Sequence, residues 1–328
     1  MKFMRVSILA AACALVAVGV AAAGSSGAKH AGSARASFTV GYSLPTGQNV
    51  WINAIAATAK SDVVKAGGTM QTSDAALDPG KAVQQVSRFV DDGVQAIVIG
   101  PAQVPQSLIA PLSKAKAKGI HTFALEWSFT TKPNALPTAP VDGQASIDRG
   151  KLGRDVAAAV KAGAGGTPHV VYVGLPFPVT SLDFFEQNLK AALGSSGTYV
   201  NLDNPTDNAQ GALGPLNGAL AAHPETNAIV TYNGPSALAA VQAVKAHNMT
   251  GKVKIYNIQL DSSTAAALKA GQLAACWDLN PPALGHALGQ LIVASVTGKP
   301  KSTWAKTVVV DAPKYTKANI DMWKDWSH

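Results

Sequence analysis

The sequence predicts an α/β protein of two similar lobes, each a doubly wound parallel sheet with helices on both faces. Short apolar strands alternate with helical stretches from residue 38 onward. One strand, Ala96-Ile97-Val98-Ile99, is apolar throughout, which is typical of a parallel strand buried on both faces. The second half of the chain repeats the pattern of the first. Such alternation gives parallel sheets joined by right-handed crossovers.

In the first half, the helices are recognised by spacing and by the glycines that end them. Val83, Val86, Phe89 and Val90 fall on one face of a helix, which Gly93 terminates. The predicted order is strand 38–42, helix 48–66, strand 69–72, helix 81–92, strand 96–99, helix 104–118 and strand 121–125.

The second half has the same order and matches the first locally. Residues 92–98 and 224–230 share one pattern, and a Gly-Pro pair follows each of them, at 100–101 and at 234–235. Two lobes with a cleft between them are therefore favoured over one continuous α/β domain. The predicted elements are strand 170–173, helix 181–193, strand 198–202, helix 208–222, strand 228–231, helix 236–247, strand 253–256 and, before Trp277-Asp278, strand 272–276.

The first 36 residues predict export. Lys2 and Arg5 precede an apolar run over residues 6–23, and Ala-x-Ala sites end at Ala23 and Ala36. This is the order of a secretory signal peptide and spacer, with a single membrane anchor as the alternative. Cys13 lies in the middle of the run, which favours a signal-peptide cysteine over a lipid-modified one. We expect a periplasmic, cell-envelope or extracellular protein, cleaved at either site or tethered.

The charge left after the leader argues against a nucleic-acid partner. Four basic and no acidic residues precede Ser37, so 23 basic and 19 acidic residues remain, a net charge near +4 with no like-charge run. Cys276 is then the only cysteine, which excludes an internal disulfide. No apolar segment after Val40 approaches membrane-spanning length. We expect a monomer without a cofactor.

Several motifs occur in a particular order between residues 38 and 310. They are the strand leading into Ser43 and a polar loop, the apolar strand 96–99, the strand end Leu125-Glu126-Trp127, and the segments 223–233 and 268–275. With these motifs the chain resembles the type I periplasmic binding proteins of the ribose- and galactose-binding sort. The resemblance implies three segments crossing between the lobes. It also implies lobes of residues 37–143 plus 280–312 and of residues 144–279, followed by a C-terminal tail, 313–328.

Candidate ligand-binding residues follow the strands, because ligands of open α/β sheets bind beyond the carboxyl ends of the strands. Aromatic rings would cover the faces of a sugar, and amide and carboxylate groups would bind its hydroxyls. Trp51 has core packing as its alternative, since it stands at helical spacing. The candidates at strand ends are Ser43, Gln48, Trp51, Gln103, Glu126, Trp127, Asn233, Gln259, Asp261, Trp277 and Asp278. The resemblance adds Phe184 and Phe185, because it implies a ligand contact on the first helix of the second lobe.

The chain departs from its relatives at three ligand-contacting positions. Relatives carry Asp-Arg where this chain has Glu126-Trp127, an arginine near Phe184-Phe185, and an aspartate where Gln259 stands. Without these arginines we expect an aromatic, acidic pocket that has no cationic partner. Such a pocket suits a monosaccharide or polyol, and equally a ligand that carries a positive charge.

The resemblance implies the substrate-binding protein of an ABC importer, which closes on a small ligand and delivers it to a membrane permease. A sensor that presents its ligand to a signalling receptor is an alternative, and so is a binding protein for a cationic amine or a furanose signal. An enzyme is not expected, because the chain has no G-x-S-x-G elbow, P-loop lysine or paired metal ligands. A related repressor would have a DNA-binding segment in place of the leader.

Overall fold

The structure, a computed structural model, describes residues 38–101, 105–127 and 133–327. The predicted leader with Cys13 and the candidate Gln103 lie outside these residues. No helix within the described ranges is long and apolar enough to cross a membrane.

The strands of the described residues are β1 (Thr39–Leu44), β2 (Thr69–Asp74), β3 (Ala96–Ile99), β4 (His121–Leu125), β5 (Gly143–Ile147), β6 (Val170–Gly174), β7 (Tyr199–Asp203), β8 (Ala228–Thr231), β9 (Lys254–Asn257), β10 (Ala275–Trp277), β11 (Thr307–Val310) and β12 (Lys314–Tyr315). The helices are α1 (Val50–Lys65), α2 (Pro79–Asp91), α3 (Pro105–Ala117), α4 (Arg149–Gly163), α5 (Thr180–Leu193), α6 (Ala209–Ala222), α7 (Gly234–Ala246), α8 (Ser262–Lys269) and α9 (Pro281–Val296).

The strands form two six-stranded sheets with the same internal order. The first is β2-β1-β3-β4-β5-β11 and the second is β7-β6-β8-β9-β10-β12. Every pairing is parallel except that of β12 with β10. Val40 pairs with Met70 and Ala96, just as Val170 pairs with Tyr199 and Ala228. The predicted fold class, two doubly wound parallel-sheet lobes, is confirmed.

The chain passes between the two sheets three times. It leaves the first sheet after β5, returns between β10 and α9, and leaves again between β11 and β12. The lobe limit predicted after residue 143 falls at the beginning of β5, a strand of the first sheet. The predicted lobe limits remain predictions, and sheet membership favours a first limit after Ile147.

Some elements lack the apolar pattern that predicts the others. β5 contains Gln144 and Ser146, yet both side chains are buried. Gln144 donates from Nε2 to Oγ1 of Thr307 on the neighbouring β11 at 3.0 Å. This hydrogen bond satisfies a polar side chain inside the sheet, so β5 can be buried although its sequence has no continuous apolar run. The predicted strand 272–276 is observed as Ala275–Trp277, since the amide of Gln272 still bonds to the end of α8.

Polar residues that follow strands begin the next helices. Asn49 accepts from the first amides of α1, Asn233 from Ser236 N in α7, and Asp261 forms a capping box with Thr264 in α8. Each cap stands beyond the carboxyl end of a strand, β1, β8 and β9 in turn. The same geometry therefore starts the helices and brings their positive ends to one edge of each sheet.

Close contact between α1 and α9 yields a test of the first lobe. A Cβ atom on Gly285 of α9 would lie 2.6 Å from the backbone oxygen of Ile55 in α1. We expect Gly285→Ala to lower the free energy of unfolding by about 1–3 kcal/mol, because the two helices must separate. Chemical denaturation measures this change.

The matched control for that test is Gly218→Ala in α6, where a Cβ would have no neighbour within 4 Å. We expect that variant to gain about 0.5–1 kcal/mol, since alanine favours the helix. A Gly285→Ala protein as stable as the Gly218→Ala protein would contradict the close helix contact.

Candidate functional site

A cleft lies between the carboxyl ends of the two sets of strands and contains two adjoining cavities. The large cavity has a volume of about 900 Å³, and the small pocket about 80 Å³. Thr46, Asn49 and Leu77 from the first lobe line both, and so do Asp207 and Gln259 from the second. The cavities therefore share part of their wall, and each receives side chains from both lobes.

The small pocket contains a buried ion pair between Glu126, just after β4, and Arg149, the first residue of α4. Arg149 Nε lies 2.7 Å from Glu126 Oε1, and Arg149 Nη2 lies 2.9 Å from Oε2. Only 6% of Glu126 and 5% of Arg149 are exposed. The expectation of a pocket without a cationic partner is wrong, because an arginine enters from a position after β5, a strand that the apolar pattern does not predict.

Two hydrogen-bond donors in the small pocket have no partner among the described residues. They are Nη1 of Arg149 and Nε1 of Trp51, both fully shielded from solvent. A buried donor without an acceptor costs about 1–3 kcal/mol, so such atoms in a native protein call for an explanation. Both residues line the small pocket. Two residues of the small-pocket wall therefore carry a buried donor that has no acceptor among the described residues.

The acceptor side of the small pocket is centred on Asp207, which follows β7. Its Oδ1 accepts from Nδ2 of Asn233 at 2.7 Å and from the hydroxyl of Tyr232. Burial raises the pKa of the Asp207 carboxyl, against a smaller opposing effect of hydrogen bonds from Tyr232, Asn233 and Asn49. Since Asn49 belongs to the first lobe, the two lobes meet here. Sequence reasoning missed Asp207, although the strand-end rule covers the loop after β7.

Four of the predicted residues line the large cavity: Gln48, Asn233, Gln259 and Asp261. Asn233 Oδ1 accepts from Ser236 N at 2.9 Å, and Asn233 Nδ2 donates to Asp207 Oδ1. Asp261 Oδ1 accepts from Thr264 N at 2.9 Å. Both side chains are thus fixed by the protein before any ligand arrives. The small pocket also includes Trp51 and Glu126 and shares Gln259.

Four of the seven non-glycine residues that have left-handed backbone in the described part of the chain line this cleft. Ala76, Leu77, Glu126 and Asp207 have φ values of 51°, 60°, 54° and 52°, and each lines at least one of the two cavities. Residues with side chains seldom adopt this conformation, and strained residues of this kind cluster at binding sites. The surrounding structure therefore holds these residues in a backbone conformation that they would not adopt by themselves.

The other predicted aromatic residues are not among the described residues that line the cleft. Phe185 is fully buried against Tyr172, and Trp277 is 1% exposed within the main apolar cluster. Trp127 is half-buried and lies against the cluster formed around α2 and β3. Phe184 is half-buried beside Gly150 of α4. The structure gives Phe185 and Trp277 core positions, and for Trp51 it combines a core position with a place in the pocket wall.

Two predicted polar residues bond elsewhere in the protein. Ser43 donates from Oγ to Gln85 Oε1 at 2.8 Å. Asp278 accepts from the indole nitrogens of Trp323 and Trp326, both at 3.0 Å. Within the described ranges no three His, Cys, Asp or Glu side chains are grouped as metal ligands. The cleft thus offers hydrogen-bonding groups and rings for an organic ligand.

Comparison with known proteins extends this description. A family model for the periplasmic binding protein domain matches residues 40–300. A search of curated protein sequences found no match. An ABC transporter solute-binding protein from Burkholderia graminis, solved with D-arabinose, is 16% identical with a TM-score of 0.78, and the alignment covers 89% of this chain and 99% of that one.

Two further solved structures have the same fold. A carbohydrate transporter from Acidothermus cellulolyticus, in complex with myo-inositol, is 20% identical with a TM-score of 0.73, over 87% of this chain and 96% of that one. The fructose-binding periplasmic domain of a hybrid two-component system is 17% identical with a TM-score of 0.75, over 87% and 92%. The match over residues 40–300 confirms the resemblance carried by the sequence motifs, and the chain belongs to the periplasmic binding protein domain family.

Proposed function

We propose that the protein is the extracytoplasmic substrate-binding component of an ABC importer, and that its cleft binds a neutral polyhydroxylated ligand, a monosaccharide or a polyol. The observation that carries this proposal is the small pocket, where unpartnered donors on Trp51 and Arg149 share one cavity with the Asp207 carboxylate. A hydroxyl group both donates and accepts, so a ring or chain of hydroxyls satisfies both sides. The ligands of the structurally similar proteins, D-arabinose and myo-inositol, support it.

The charges in the cleft favour a neutral ligand over a cationic amine. Glu126, the carboxylate that an amine would need beside Trp127, is engaged by Arg149. An amine in the small pocket would therefore find Glu126 already paired, and it would bring no acceptor for the donors of Arg149 and Trp51. An anionic ligand would meet the carboxyl groups of Asp207 and, in the large cavity, Asp261. A hydroxylated ligand supplies acceptors without adding a negative charge.

The volumes of the two cavities support a particular placement of the ligand. The small pocket, at about 80 Å³, holds one or two hydroxyl groups and no whole sugar. The large cavity, at about 900 Å³, has ample volume for a monosaccharide. The ligand would lie across the junction of the two, with its acceptors toward Arg149 and Trp51 and its donors toward Asp207.

Closure of the lobes would follow from this placement. Trp51 and Glu126 come from the first lobe, whereas Asp207, Asn233 and Gln259 come from the second. A ligand that bonds to both lobes binds the closed form better than the open one, and it shifts the equilibrium by that difference. The closed form would then be recognised by a membrane permease, with the protein acting as an exported monomer.

Presentation of the ligand to a signalling receptor is the second candidate. The fold it shares with the fructose-binding domain of a two-component system supports it. Either partner would bind the same closed form. Co-purification with a permease would favour transport, and co-purification with a receptor kinase would favour signalling.

A thermal-shift screen tests the ligand class. We expect pentoses, hexoses or polyols to raise the melting temperature, because a ligand at 100 times its Kd stabilises by about 2.7 kcal/mol. Matched panels of sugar acids and of amines are the comparison. Stabilisation by amines alone would contradict the proposal.

Trp51→Phe tests the unpartnered indole. The variant keeps an aromatic ring but is smaller, and the Nε1–H that it loses has no partner, so we expect it to lose less stability than a variant that also breaks a hydrogen bond. We expect the Kd of the best ligand from the screen to rise about 5- to 10-fold, the effect of one lost hydrogen bond. Calorimetry and urea unfolding measure the two quantities.

Trp304→Phe is the matched control, because the indole of Trp304 donates to Lys299 O at 3.1 Å and is not among the described residues that line the cleft. That variant should lose stability and keep its affinity. The prediction fails if Trp51→Phe and Trp304→Phe behave alike.

Asp207 gives the ligand-free protein a distinctive pH dependence. Its pKa in the folded state is raised above the ordinary 3.8, so the fold favours the protonated carboxyl. Below pH 3.8 the folded and unfolded states are both protonated; as the pH rises through the raised pKa, the folded state loses stability. The free energy of unfolding of Asp207→Asn minus that of the wild type should therefore be larger at pH 7 than at pH 4.

Urea unfolding of the two proteins between pH 4 and pH 7 measures this difference, with Asp203→Asn as the exposed control on the same strand end. A stability difference between wild type and Asp207→Asn that stays constant over this range would contradict the assignment.

A further inference from the structure

The last part of the chain that the structure describes, residues 314–327, is called here the tail segment, and it lies beyond both the matched family region and β11. It begins as β12, antiparallel to β10, with Tyr315 opposite Cys276. A 3₁₀ turn, Ile320–Met322, follows, and Ile320 is 2% exposed within the apolar cluster of the second lobe. The family model ends at residue 300 and thus assigns nothing to this segment.

Asp278 holds the tail segment by two indoles. Oδ2 accepts from Trp323 Nε1 and Oδ1 from Trp326 Nε1, both at 3.0 Å, while Oδ1 also accepts from Asn280 N at 2.8 Å. The two rings meet edge to face, with centroids 6.4 Å apart. Asp278 is only 6% exposed, so these are buried, charge-assisted hydrogen bonds. We call this arrangement the Asp278 clamp.

The clamp lies where two crossings between the lobes meet. The amide of Asp278 donates to the oxygen of Pro313 at 2.9 Å, which joins the crossing after β10 to the one before β12. Burial raises the pKa of the Asp278 carboxyl despite the donors around it. The clamp therefore fixes the tail segment to both of these crossings.

The last described residue of the tail segment reaches the ligand cleft. Ser327 Oγ accepts from the amide of Ser262, the first residue of α8, at 3.0 Å, and donates to Asp325 Oδ1 at 2.6 Å. Ser327 lines the large cavity together with Asp261 and Ser262. Its hydroxyl oxygen keeps one further lone pair with which to accept a hydrogen bond.

We propose that the tail segment is a wall of the ligand cavity, in which the Asp278 clamp positions Ser327 both to brace the first turn of α8 and to accept a hydrogen bond from the ligand. This role rests on the proposed binding function of the cleft. It assigns Ser327 to the ligand site, and it makes Asp278, Trp323 and Trp326 positioning residues that act through it.

The test removes the two indole hydrogen bonds of the clamp. The double variant Trp323→Phe/Trp326→Phe keeps an aromatic ring at each position and loses both bonds to Asp278. Trp304→Phe is the control, because it removes the same ring atoms and one indole hydrogen bond elsewhere. Amide hydrogen exchange of ligand-free protein reports on the Ser262 amide directly. The Thr264 amide, held by Asp261, is the internal reference. We expect exchange at Ser262 to rise about 10-fold in the double variant and to stay unchanged in the control.

Affinity for D-arabinose and for myo-inositol is measured on the same proteins. We expect the Kd of whichever probe binds to rise about 5- to 10-fold in the double variant and about 3-fold in Ser327→Ala, which keeps the clamp. If exchange at Ser262 is unchanged, the Asp278 clamp does not position Ser327. If exchange is faster but the affinity is unchanged in both variants, Ser327 does not bind the ligand and the tail segment only braces α8. If the wild type binds no probe and no compound of the screen, the proposed function fails, while the exchange result still decides whether the clamp positions Ser327.

Discussion

The buried pair of Glu126 and Arg149 sets the chemistry of the cleft. It joins the end of β4 to the start of α4, the place where the chain first leaves the first sheet. A buried ion pair by itself is weak support for stability, since desolvation offsets the attraction. Here its effect is on orientation: two nitrogens of the guanidinium are held by one carboxylate, so the third, Nη1, has a fixed direction in the small pocket. The Nη1 donor is therefore preorganised, and the positive charge of Arg149 is already balanced by Glu126.

The residues that begin the helices are also residues of the site. Asn49, Asn233 and Asp261 each cap a helix and each line a cavity, because a doubly wound lobe brings strand ends and helix starts to the same edge. The consequence is rigidity. A side chain that already satisfies a helix amide cannot turn freely toward or away from a ligand, so these groups have little conformational entropy left to lose on binding.

The same connection explains which parts were predictable from the sequence. Asn233, Gln259 and Asp261 follow strands with clear apolar patterns, and the strand-end rule identifies them. Arg149 follows β5, in which Gln144 and Ser146 interrupt the apolar pattern although both are buried. Because the sequence did not predict this strand, the strand-end rule could not identify Arg149. The predicted lack of a cationic partner failed for this reason.

Trp277 and Asp278 show a second limit. Successive side chains of a strand point to opposite faces, so a difference of one or two residues in a strand end changes which side chain reaches the cleft. The predicted strand 272–276 ends one residue before the observed strand, Ala275–Trp277. Asp278 accepts hydrogen bonds from Trp323 and Trp326, which lie 45 and 48 residues further along the chain. No local sequence pattern predicts contacts over such a separation.

The unpartnered donors also account for how binding can drive closure. With the lobes together and no acceptor in the small pocket, Trp51 and Arg149 leave two donors unsatisfied, at about 1–3 kcal/mol each. When the lobes separate, water can reach these atoms and the cost disappears. A ligand that supplies both acceptors removes the cost only in the closed form, so its affinity for that form exceeds its affinity for the open one by the same amount. A difference of a few kcal/mol is sufficient to shift a two-state equilibrium by two or three orders of magnitude, which is the coupling that an importer needs between capture and delivery.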